Sequence, residues 1–351
     1  MTDKPKFKIL CIDGGGIRGI LPCIILQEIE RRMNKPISSL FDLIAGTSTG
    51  GIIALGLTVP NPDNTPKFSP TQLQELYSKT GKLIFKKKFF NIFTQFFSPK
   101  YAPDNLEMLL KQYLGDAKLN DALTNVLVPA LDTISNKPFY FLTRLAKDTT
   151  RHPSENFLMR DIARATSAGP TFFPAKDLDW RDKTLSLVDG GTFANNPSTL
   201  AFTEGIELVE STELSKVSKS PTNRVVDPVV IPDADAKPFF LLSLGTGLSE
   251  DPISLSDAQR FGSLNWIIRG KIINLVMHGT SEGTHYEMQY ILPDYPDGTK
   301  RYVRINPTLW KNHGFNDDAT DDNINKLIDL GNQTLMDNVA LIDQICESLR
   351  E

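Results

Sequence analysis

Hydrophobic positions along this chain change period several times, and each change marks an element. Phe7-Lys8-Ile9-Leu10-Cys11-Ile12 is a short apolar run of the kind that forms a buried strand. Leu21, Ile24, Ile25, Ile29 and Met33 then recur at helical spacing, which predicts a helix over 20–33 with one apolar face. Phe41-Asp42-Leu43-Ile44-Ala45 reads as a second strand. Gly51 to Leu57, apolar all round, reads as a buried helix. Strand, turn, helix, repeated twice in 60 residues, predicts an α/β fold with a largely parallel sheet.

Further along, residues 61–69 are a loop by composition and a helix is predicted from Ser69 to Lys82. Val126 to Asp132 and Pro138 to Arg144 read as strands, Glu155 to Ala168 as a helix, and Leu185 to Val188 as a strand ending at Asp189. Asn195-Asn196-Pro197 opens a helix running to Glu210. Residues 211–237 are polar and proline-punctuated, a surface excursion. Strands at 238–244 and 302–305 and one long helix over about 321–349 complete the pattern. Strands drawn from both halves predict a single catalytic domain over 1–351, with its core at about 7–310.

Composition removes several functions from consideration. The 351 residues are 40% hydrophobic, enough for a large core, and the formal net charge of −4 argues against a partner made of nucleic acid. Cys11, Cys23 and Cys346 are too few and scattered for a disulfide framework or zinc site. Residues 1–6 lead directly into the first strand with no apolar signal segment, and no run reaches transmembrane length. The expectation is a cytoplasmic protein that meets lipid only by docking transiently at a membrane surface.

The chemistry concentrates in two glycine-rich turns. Asp13-Gly14-Gly15-Gly16-Ile17-Arg18-Gly19 follows the first strand, and Gly46-Thr47-Ser48-Thr49-Gly50 follows the second. A strand entering Gly-x-Ser-x-Gly and leaving as a helix turns sharply and projects the serine hydroxyl. Backbone N–H groups of a glycine turn at a helix start stabilise anions and developing oxyanions. The first turn also satisfies the dinucleotide-binding Gly-x-Gly-x-x-Gly, but no acidic residue stands at the tip of the second strand to hold a ribose. No glycine turn is followed by Lys-Ser/Thr, so a phosphate-binding P-loop is absent. Serine needs a base. None of His152, His278, His285 and His313 closes a clear strand, whereas Asp189 leaves one into Gly190-Gly191.

In combination and order these segments resemble the patatin-like phospholipases, from Ile9 to about Leu309. The likeness includes Asp13 to Gly19, Gly46 to Gly51, Thr166 to Pro174, Asp189 to Gly191 and Leu241 to Gly247. Plant members of that family carry secretory signals not seen here, a departure that favours a bacterial-type intracellular relative over a storage protein; Gly191 stands where many members carry alanine, and the family tolerates both. The resemblance implies a three-layer α/β/α fold with Ser48 as nucleophile and Asp189 as its base. It further implies an oxyanion hole of N–H groups around Gly14, Gly15 and Gly16, and calcium-independent cleavage of membrane phospholipid or other glycerolipid esters. No cofactor and no metal are expected. Aspartate is ordinarily a weaker base than histidine by about 2.6 pKa units, or about 3.5 kcal/mol, so burial of Asp189 would have to raise it.

Two further features remain open at this level. Arg18 is a candidate for steadying the loop or meeting a lipid phosphate, against an ordinary solvated helix-start arginine. Residues 83–97 carry Phe85, Phe89, Phe90, Phe93, Phe96 and Phe97 beside Lys86, Lys87 and Lys88. That make-up suits a membrane-facing segment or lid, and equally rings packed onto the core. Alternative functions are the same chemistry held idle until a small signal such as a cyclic nucleotide binds, and a non-enzymatic storage or nucleotide-binding protein.

Overall fold

A computed structural model describes residues 7–86, 98–214, 239–249, 253–262, 271–309 and 316–350. Its strands are β1 (Phe7–Ile12), β2 (Leu43–Gly46), β3 (Asn125–Asp132), β4 (Lys137–Leu142), β5 (Lys176–Trp180), β6 (Lys183–Asp189), β7 (Phe239–Leu244), β8 (Leu248–Ser249), β9 (Tyr302–Ile305) and β10 (Thr308–Leu309). The helices of the first half are α1 (Ile20–Met33), α2 (Ile37–Leu40), α3 (Thr49–Thr58), α4 (Pro70–Ile84), α5 (Asp104–Leu114), α6 (Thr143–Lys147) and α7 (Met159–Thr166). Those of the second half are α8 (Gly191–Ala194), α9 (Ser198–Leu214), α10 (Leu255–Arg260), α11 (Lys271–Ile291), α12 (Asp321–Asp337) and α13 (Val339–Leu349).

One eight-stranded sheet runs β5-β6-β3-β2-β1-β7-β9, with β4 also paired to β3. The centre is parallel: β1 pairs with β2 and β7, β2 with β3, and β7 with β9. At one side β6 runs antiparallel to β3 and β5 antiparallel to β6. Alternation along the strands sorts side chains to two faces. Leu10, Ile12 and Ile44 join the core under α1, α12 and α13, while Ile9, Cys11, Leu43 and Ala45 pack toward α9 and α11. A sheet with helices on both faces is the three-layer α/β/α arrangement expected.

Several boundaries differ from the sequence reading for local reasons. The single C-terminal helix is two, broken at Asn338, whose amide side chain donates to the Thr334 carbonyl. The strand expected over 138–144 ends at Leu142 and turns into α6, and the helix expected over 155–168 begins only at Met159. Before it, Pro153–Glu155 forms a separate 3-10 turn.

Candidate active site

β1 and β2 lie side by side in parallel register, Ile12 opposite Gly46, so the two glycine turns leave the same end of the sheet as neighbours. The second turn is tight. A Cβ on Gly50 would lie 2.1 Å from the Ile12 carbonyl oxygen, so only glycine lets the turn pass this close to β1. Gly46 ends β2, and Ser48 sits at the corner with φ +55° and ψ −122°, a left-handed conformation that a serine adopts only under constraint. The constraint is visible: Thr166 Oγ1 accepts the Ser48 N–H at 2.9 Å and donates to the Pro129 carbonyl at 2.8 Å, pinning the corner to α7 and β3.

Asp189 reaches the same place from the opposite direction. β6 descends antiparallel to β3, with Asp189 opposite Ala130, and stops at the level where the parallel strands end. The Asp189 N–H donates to the Ala168 carbonyl at 3.1 Å, and its Oδ1 accepts the Gly191 N–H at 2.8 Å. Gly190 is held beneath the Pro129 carbonyl, close enough that a Cβ there would lie 2.4 Å from its oxygen. The Ser48 hydroxyl stands beside the Asp189 carboxylate, close enough to favour its charged form. Burial pushes the Asp189 pKa up to about 6, against the lowering effect of the nearby Ser48 hydroxyl and the Gly191 N–H.

Both groups open into one cavity of about 270 Å³, walled chiefly by apolar side chains including Ile52, Phe85, Leu106, Phe173 and Val276. Gly15 and Gly16 line it too. Among the described residues their N–H groups have no hydrogen-bond partner, and Gly16 at φ +59° holds the loop curved around the cavity. Gly14 corrects the expectation of three donors: its N–H is engaged by the Asn195 carbonyl at 3.1 Å, which fixes the loop instead. Gly19 closes the 3-10 turn Gly16–Gly19 that leads into α1.

The first turn is anchored by a buried ion pair that sequence reading missed. Arg304 on β9 donates to both carboxylate oxygens of Asp13, at 3.2 and 2.7 Å, and to Ser243 Oγ at 2.8 Å, with both charged side chains 3% exposed. Burial disfavours the Arg304 charge, but Asp13 outweighs it and holds the guanidinium above its ordinary value. Thr246 Oγ1 donates to the Gly14 carbonyl at 2.5 Å, adding a third tether. The available sequence signal was a lone arginine inside the apolar strand Tyr-Val-Arg-Ile.

Arg18 does not line the Ser48 cavity. Its guanidinium is buried, Nε donates to the Gly15 carbonyl at 3.3 Å, and the side chain borders a separate water-sized polar space with Asp13, Asn274 and His278. Burial lowers its pKa to about 10. This placement matches the loop-steadying alternative and puts a substrate phosphate in the Ser48 cavity out of its view. His278 and His285 both lie on α11, and His152 starts the 3-10 turn near Pro153. None of these three lines the cavity. Burial, with Arg18 nearby, pushes His278 down to about 4, so it is neutral at pH 7. His313 lies outside the described residues, as do Phe89, Phe90, Phe93, Phe96 and Phe97 of the aromatic segment. Phe85 forms part of the cavity wall and packs against Tyr101 and Phe173, with ring centroids 5.5 and 6.4 Å away.

Among the described residues no helix is long and apolar enough to cross a membrane, and no three His, Cys, Asp or Glu side chains form a group that could hold a metal ion.

A serine on a strained strand-to-helix corner, facing a buried aspartate across an apolar cavity, is the site of a hydrolase-type α/β protein. The chain belongs to the patatin-like phospholipase family, whose profile matches residues 10–202. It is 32% identical to Patatin-like protein 2 of Oryza sativa subsp. indica, over 95% of this chain and 85% of that protein. It is 30% identical to Patatin-03 of Solanum tuberosum, over 95% and 84%. The crystal structure of VipD from Legionella pneumophila aligns with 95% of this chain and 67% of its own at 12% identity and a TM-score of 0.35, too low to carry an argument.

Proposed function

We propose that this protein is a serine lipid acyl hydrolase that cleaves fatty-acyl esters of membrane glycerolipids with Ser48 and Asp189 as its catalytic pair. The observation that carries this reading is the placement of Ser48, on its strained corner, and the buried Asp189 carboxylate on one apolar cavity, with burial lifting the Asp189 pKa to about 6. At that value the difference in basicity from an ordinary histidine, about 6.5, shrinks to about half a unit. Asp189 is therefore ionised at pH 7 yet basic enough to accept a proton. Burial in the fold does for aspartate what a histidine would do by its own chemistry.

In the proposed reaction Ser48 Oγ attacks the ester carbonyl carbon while its proton passes to Asp189. The carbonyl oxygen becomes an oxyanion facing the N–H groups of Gly15 and Gly16; each such donor is typically worth about 2.7–4 kcal/mol. Collapse breaks the bond to the alcohol oxygen, which takes the proton from Asp189 and leaves as the lysolipid. Water then gives a proton to Asp189 and attacks the acyl-enzyme, and the fatty acid leaves as Ser48 recovers its proton. No step calls on calcium.

A glycerolipid substrate suits the walls. Ile272, Leu275 and Val276 on α11 are 40, 52 and 41% exposed, and Ile272 and Val276 also line the cavity. Exposed apolar side chains of α11 thus continue into the cavity wall, which favours contact with a lipid surface at this rim. The test is product analysis by mass spectrometry on a mixed lipid extract, together with fluorophosphonate labelling. Wild type should release fatty acids and label at Ser48. Absence of both in well-folded wild-type protein would reject the reading.

A further inference from the structure

Behind the Ser48 cavity the fold leaves a second, apolar space of about 30 Å³ between α3, α4 and α5. Its far wall is Leu73, Leu76, Leu109, Leu110 and Leu114. Four side chains, Ile52, Tyr77, Ile84 and Leu106, face both spaces, so the partition between them is one side chain thick. Ile52 stands one helical turn beyond Ser48 on α3, which places this partition directly behind the serine. Protein interiors are close-packed and keep few such voids, and an apolar void takes up hydrocarbon rather than water.

We propose that this void is the end of an acyl-chain channel, and that the Ile52–Leu106 partition sets the chain length the enzyme accepts before it must move. The proposal rests on the reading of Ser48 as the acylated residue. An apolar cavity of about 150 Å³ accommodates benzene, so about 270 Å³ accommodates roughly eleven carbons on the same scale. Longer chains run past the cavity. Their terminal methylenes reach the partition, turn the Ile52 and Leu106 side chains aside, and occupy the space beyond. Only hydrocarbon suits that space, because a polar group there would be buried without a partner.

Leu110 lines the void and not the cavity, so Leu110→Phe fills the far space while leaving the surroundings of Ser48 untouched. Burying one methylene is worth about fourfold in affinity. Hydrolysis of the p-nitrophenyl palmitate ester should therefore fall about fourfold to fifteenfold in kcat/KM, with the butyrate ester within twofold of wild type. Leu106→Ala, which thins the partition, should move the preferred chain length upward by two or more carbons. In a Ser48→Ala background, calorimetry should show weaker palmitate binding for Leu110→Phe and unchanged laurate binding. Folded variants with the wild-type chain-length profile and unchanged palmitate affinity would overturn the proposal. If Leu110→Phe fails to fold, an unshifted profile for Leu106→Ala does so alone. Should wild type hydrolyse no ester while palmitate binding still responds to Leu110→Phe, the channel stands and the nucleophile reading falls.

Discussion

Asp13 directly follows β1 and Asp189 ends β6, each leads into a run of glycines, and each is buried, yet the fold gives them different partners. Asp13 is gripped by Arg304 with two hydrogen bonds inside the sheet edge, so its charge is neutralised and its position fixed. Among the described residues no cation stands against Asp189, which accepts the Gly191 N–H beside the Ser48 hydroxyl; burial raises the pKa of both carboxyls, that of Asp189 to about 6, but only Asp13 has a guanidinium to oppose the rise. A buried carboxylate with a guanidinium partner is an anchor. The same group beside a hydroxyl is, in the reaction proposed above, a base. The Asp-Gly-Gly string alone does not distinguish these roles; the neighbour supplied from a distant strand does.

That contrast can be broken most sharply at the base. Asp189→Asn and Ser48→Ala should each lower ester hydrolysis by about 10²- to 10⁴-fold in steady-state assays, with circular dichroism unchanged. Asp13→Asn should act on the fold first. Leaving Arg304 buried and unpaired should cost about 3–5 kcal/mol in denaturant unfolding, and activity should fall only as the folded fraction does or the loop loosens. Equal stability losses at both aspartates would erase the distinction between them.

The titration of Asp189 sharpens it further. Its folded pKa lies above the ordinary value, so between about pH 4 and 6 the folded protein binds more protons than the unfolded chain. Its contribution to stability is therefore fully present below about pH 4 and lost as pH rises through 6, a difference of about 3 kcal/mol. Asp189→Asn should lack this slope in unfolding measured from pH 4 to 8. The wild-type kcat/KM should fall tenfold per unit below about pH 6. Smaller still, Thr166→Val should destabilise by about 1–3 kcal/mol by orphaning the Ser48 N–H and the Pro129 carbonyl, and should lower turnover as the corner relaxes. His278→Ala should leave kcat within twofold. A large loss of turnover there would bring an imidazole into the mechanism.

Legibility of the chain followed how locally each element is determined. β1, α1, β2 and α3 were readable because apolar period and glycine turns lie within 50 residues of one another, and α1 occupies the 20–33 span expected. β5 escaped notice because Lys-Asp-Leu-Asp-Trp is an edge strand in which only Leu178 is buried. α11 escaped because one apolar stripe lies toward the body of the protein, at Met277 and Met288, and another lies outward, at Leu275 and Val276; the two blur any single helical period. At the site, the turns that carry Ser48 and Asp189 were legible from turn chemistry and family resemblance together, and the structure brings both residues to one cavity. Thr166 stood inside a segment noted for that resemblance, without its role. Arg304 and the engagement of the Gly14 N–H were not legible, since both depend on groups that approach from elsewhere in the chain, at Asp13 and Asn195.

Because β6 enters the site against the direction of β2, the serine and its aspartate belong to units that no early stretch of chain can bring together. A nascent polypeptide or proteolytic fragment ending before residue 189 carries the Ser48 corner without the aspartate that stands beside it, and one ending before 304 lacks the clasp on the first glycine turn. Enzymatic turnover should thus be the last property regained on refolding, trailing helical signal.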